Sequence, residues 1–98
     1  MANLTVSKFE RFAKIEAANL GLKVVSITTK PDDLGLATSD IFVEKNATVY
    51  LAMQQLERAL TRRTAQGVRL GYYDRAIGYD QVPVGQAMLQ VDCLALAF

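Results

Sequence analysis

Helical spacing of apolar residues appears twice along the chain, and β-branched or alternating runs lie between and after. The first helix is predicted over about Val6–Leu20, where Val6, Phe9, Phe12, Ala13, Ala17 and Leu20 fall on one face. Lys8, Arg11 and Lys14 lie away from the centre of that face. Ser7 and Glu10 stand at the spacing of a capping box, with Thr5 as a competing cap, and Gly21 offers a left-handed stop. The second helix carries Val49, Ala52, Met53, Leu56, Ala59 and Leu60 at i, i+3, i+4, i+7 spacing, with Asn46 or Thr48 as its cap. Gln54, Gln55, Glu57, Arg58, Thr61 and Arg62 take the wet side. Arg62 and Arg63 sit in the last turn, where cations suit the helix dipole, and Gly67 closes the element.

The strands are predicted from side-chain type. Leu22–Thr29 contains Val24, Val25, Ile27, Thr28 and Thr29, residues that fit a pleated surface. Pro31 ends it, and Pro31–Asp40 reads as a loop, followed by a short strand at Ile41–Lys45. Val68–Tyr73 alternates, Asp74–Gln86 is irregular, and Ala87–Phe98 is a long strand. The expected fold is therefore one α+β domain over 1–98, with element order α-β-(β)-α-β-β. Two helices packed on one face of a mostly antiparallel sheet of about three to five strands is the economical arrangement.

The last strand breaks that economy. One face carries Ala87, Leu89, Val91, Cys93, Ala95 and Ala97. The other carries Met88, Gln90 and Asp92, then Leu94, Leu96 and Phe98. A sheet covered on one side keeps its other side polar. The apolar end therefore expects a second cover, either the 74–86 segment or a neighbouring subunit.

Composition narrows the chemistry. The chain has 98 residues, half of them apolar, which excludes a disordered polymer. There is no histidine, so the familiar His-based triads and His-ligated metal sites are excluded. The one cysteine, Cys93, forms no internal disulfide and reads as a buried thiol. No phosphate-loop glycine spacing occurs, and no cofactor, metal or catalytic site is predicted. No apolar run is long enough to span a bilayer. Met1–Asn19 reads as an amphipathic helix rather than a signal peptide, so the glycosylation-like triplets at Asn3 and Asn46 read as chance and the expected setting is cytoplasmic.

The net charge is +1, but the charges are segregated. Residues 1–30 carry five positive and two negative charges, residues 31–47 one and four, residues 48–75 five and two, and residues 76–98 none and two. Such a pattern suits a head-to-tail contact between copies, acidic surface to basic. The expected function is a non-enzymatic homo-oligomeric structural or adaptor module. Leu94, Leu96 and Phe98 are its candidate contact residues, with Arg58, Arg62 and Arg69 of one copy against Asp32, Asp33 or Asp40 of the next. Size and element order are similar to those of small α+β ring subunits of phage particles, such as tail-terminator or head–tail joining proteins. That is an analogy of architecture with no diagnostic motif and no family match; a phage or mobile-element origin, and a place in a virus particle, fit a short chain of this kind. The alternatives are a nucleic-acid or phosphate-binding module using Arg58, Arg62, Arg69, Tyr72 and Tyr73, and a small-molecule domain with a pocket beside the 74–86 segment.

Overall fold

The computed structural model describes residues 4–31, 33–64, 69–75, 78 and 80–96, without the side chains of Thr64, Arg69, Leu70, Tyr72, Cys93 and Leu94. Its elements run α1 (Val6–Asn19), β1 (Val24–Pro31), β2 (Ala37–Glu44), α2 (Val49–Thr64), β3 (Arg69–Tyr73) and β4 (Gln86–Leu94). The four strands form one antiparallel sheet in the order β1-β2-β4-β3. This is the expected α+β fold and element order.

Both helices cover the same face. Phe9, Ala13 and Ala17 of α1 and Met53, Leu56 and Leu60 of α2 share one core with Ala37, Ile41 and Val43 of β2 and Ala87, Leu89 and Val91 of β4. The period of two along β2 is sharp: Ala37, Ser39, Ile41 and Val43 are buried, while Thr38, Asp40, Phe42 and Glu44 are more exposed. Ser39 is tolerated on the core side because its hydroxyl and that of Thr29 lie 3.0 Å apart. Thr29 also donates to Glu10 of α1 at 2.7 Å.

Several boundaries differ from the expected ones. The N-cap of α1 is Thr5, whose hydroxyl accepts from the Lys8 amide at 3.2 Å; Glu10 goes to Thr29, so no Ser7–Glu10 capping box forms. The 31–40 loop is shorter than expected. Thr38, Ser39 and Asp40 belong to β2, since each polar side chain finds a partner on a neighbouring strand: Thr38 donates to Asp92 and Asp40 accepts from Gln90. The last strand stops at Leu94 rather than running to Phe98. Past that point the alternation no longer applies, and Leu96 turns into the core at 7% exposure.

The face away from the helices is also covered in part. Met88 alternates with Ala87 and Leu89 yet is only 3% exposed, and Val82 of the β3–β4 connection is fully buried. Tyr73, in register with Met88, lies over Gly71: a Cβ at Gly71 would meet its ring at 2.5 Å. A side chain at position 71 would force that ring away, which accounts for a glycine inside a strand.

Candidate interaction surfaces

Three surface features carry chemistry that the fold does not consume. The first is the β1–β2 hairpin tip. Pro31 ends β1 and Gly35 adopts a φ of 79°, the left-handed conformation that lets the chain reverse. This turn projects Leu34 into solvent at 83% exposure, next to exposed Asp33. Leu34 and Val84, the latter 82% exposed, are the most exposed large apolar side chains among the described residues.

The second feature lies at the other end of β1. Lys14 and Ala18 of α1, Leu22 and Lys23 of the connection, and Val24–Ile27 of β1 line a groove of about 500 Å³. The register of β1 against β2 shifts between Val24 and Ser26, and Val25 is left 49% exposed. The groove is apolar along its floor and carries two lysines. Lys23 has a loose ion pair with Glu44 at 3.7 Å; both side chains are mostly exposed, so the pair contributes little. β1 is an edge strand, and Lys23, Lys30, Pro31 and the register irregularity all discourage plain edge-to-edge pairing.

The third is the outer side of the helical layer. Lys8 and Arg11 of α1 and Arg58 and Arg62 of α2 are exposed, and Arg63 is exposed at the end of α2. At about 100° per residue, Lys8, Arg11, Arg58 and Arg62 point about 140–170° away from the core stripes of their helices. A shallow groove of about 280 Å³ separates the helices, lined by Phe12, Glu16, Ala59, Arg62 and Arg63, with the Arg63 guanidinium 5.1 Å from the Phe12 ring centroid.

A buried ionic tie was not foreseen. Asp74, 2% exposed, follows β3 and takes an ion pair from Lys45 at 2.8 Å and a hydrogen bond from the Tyr50 hydroxyl. It joins the start of α2 to the end of β3. Lys45 and Tyr50 both keep more than a third of their surface open. The arrangement satisfies a buried carboxylate. Among the described residues no group of three or more Cys, Asp or Glu could hold a metal ion. The spacing of Lys45, Tyr50 and Asp74 in the chain gave no signal, since three separate segments supply them.

The sequence-derived candidates do not gather into one site. Leu96 is covered by its own chain and is a core residue rather than a subunit contact. Asp40 sits within β2, accepting from Gln90, instead of heading an acidic loop. Asp33 is exposed in the β1–β2 turn. Arg58 and Arg62 lie on the helical layer, whereas half-buried Tyr73 packs over Gly71 on the opposite face of the sheet, so the Arg/Tyr set is split. Arg69 pairs in register with Asp92, and Tyr72 with Leu89. Asp32, Gly67 and Phe98 lie outside the described residues, as do the side chains of Leu94, Cys93, Arg69 and Tyr72. No described helix is long and apolar enough to cross a membrane. Comparison with protein-family models, curated proteins and solved structures gives no match in any of the three.

Proposed function

We propose that this chain is a non-enzymatic, self-associating structural or adaptor module whose copies join head to tail. One observation supports the reading most: the two ends of β1 are complementary. One end offers an apolar knob, Leu34, beside the carboxylate of Asp33; the other offers an apolar groove bearing Lys14 and Lys23. Knob and groove are separated by the length of an eight-residue strand, about 25 Å, so one copy cannot fill its own groove. The occupant is the hairpin tip of a second copy. Such a contact is heterologous, and repetition closes a ring or extends a filament.

The contact is small beside a standard interface of roughly 1,600 Å², so assembly depends on concentration and weakens with salt. A cytoplasmic protein built into a phage or mobile-element particle suits that behaviour, because neighbouring components raise the local concentration. The test is mass by light scattering across a concentration series. Wild-type mass should rise with concentration, and Leu34→Asp should lower it without changing helix content. A wild-type chain that stays monomeric at high concentration overturns the reading.

A further inference from the structure

We infer that the helical layer is a second, independent binding surface, for the phosphodiester backbone of nucleic acid. Five exposed cations stand on this one layer: Lys8, Arg11, Arg58, Arg62 and Arg63. The anions of the same helices are fewer and less available. Glu10 accepts from Thr29 on the sheet side, and Glu16 and Glu57 are half-buried. The near-neutral net charge of the chain therefore conceals a basic layer, because carboxylates are placed elsewhere: Asp40 and Asp92 are hydrogen-bonded on the far face of the sheet and Asp74 is buried.

The residue types select the ligand. Four of the five cations are arginine, whose planar fork grips a phosphate with two bonds. Helices α1 and α2 are antiparallel, since each packs back along the strand it adjoins. Residues near the start of α1 and the end of α2 thus lie at one end of the layer, as the Phe12–Arg63 contact shows. Arg62 and Arg63 line the groove at that contact, Arg11 and Lys8 stand one and four residues before Phe12 on α1, and Arg58 lies one turn before Arg62. A row of cations over two helices matches a repeating line of phosphates better than a single small anion. Phe12 is half-buried under Arg63, and the exposed aromatic of these helices, Tyr50, stands at the opposite end of α2 with its hydroxyl on Asp74, so no described aromatic in the patch reads the bases. Binding is accordingly independent of sequence. The surface shares no residue with the Leu34 knob or the Lys14–Lys23 groove, so it stands whether or not copies associate.

The experiment is fluorescence anisotropy of a labelled DNA duplex of arbitrary sequence, titrated with the full chain from about 50 mM salt upward. With five phosphate contacts the log–log slope against salt should be about −4.5. The triple variant Arg11→Ala/Arg58→Ala/Arg62→Ala, checked for an unchanged circular dichroism spectrum, should bind at least tenfold more weakly at the lowest salt. Its slope should be shallower by about three. A control variant, Lys30→Ala/Arg75→Ala, removes two exposed cations off the layer and should keep the wild-type slope to within about two. No binding at about 50 mM salt overturns the inference, as does binding that the triple variant retains. Binding to anionic phospholipid vesicles with none to DNA overturns it in favour of a membrane surface. Failure on DNA leaves the head-to-tail reading untouched, because light scattering reads that one separately.

Discussion

The two sides of β2 differ in kind: one is packed into the core and the other carries polar and charged side chains. On one side Ala37, Ile41 and Val43 are fully buried beneath α1 and α2. On the other, Thr38 and Asp40 bond to side chains of β4 and the strand ends in exposed Glu44. The inner side admits only apolar side chains and a hydroxyl with a partner. The outer side, the hairpin tip and the helix backs tolerate charge and exposed leucine. Apolar burial is therefore concentrated on the inner side of β2, and polar and charged side chains on its outer side.

This contrast breaks if inner and outer substitutions have similar effects. Leu56→Ala and Leu89→Ala empty fully buried positions and should each cost about 2–5 kcal/mol in urea unfolding. Lys45→Met removes the cation beside the buried Asp74 carboxylate. It should cost about 1–3 kcal/mol, at the lower end because Lys45 is 37% exposed and its own hydration offsets part of the loss. Thr5→Ala deletes the cap of α1 and should cost about 1 kcal/mol, read as thermal melting, whereas Ser7→Ala should be nearly silent. Leu34→Asp should change stability by no more than about 0.5 kcal/mol and yet lower the mass in solution. Were Leu34→Asp instead to unfold the chain, the hairpin tip would belong to the core side of the comparison.

The inner layer was legible in the chain because its signals are periodic. The 3.6-residue spacing of Val49, Met53, Leu56 and Leu60 placed α2, and the alternation of Ala87, Leu89 and Val91 placed the inward side of β4. Polar residues misled where tertiary partners overrode propensity. Thr38, Ser39 and Asp40 read as a loop but lie in a strand, because hydrogen bonds to β1 and β4 accommodate them. Leu96 read as surplus apolar surface because alternation was carried past the strand's end. The outer layer was legible only in part. Charge blocks along the chain marked Asp33, Arg58 and Arg62, all exposed, as contact candidates. They could not place Arg58 and Arg62 on one layer with Lys8 and Arg11, nor set an apolar knob and an apolar groove at opposite ends of one strand. Such juxtapositions come from strand length and helix direction, which no local pattern encodes.

Charge exchange tests the head-to-tail contact most directly. Asp33→Lys presents a cation to the lysine-bearing groove, and Lys23→Asp presents a carboxylate to the acidic tip. Light scattering at matched concentration should find each single variant smaller than wild type and the double variant, which restores opposite charges across the contact, back near wild-type mass. If the double variant stays as small as either single one, or if neither single variant changes the mass, the tip of one copy does not sit in the groove of the next.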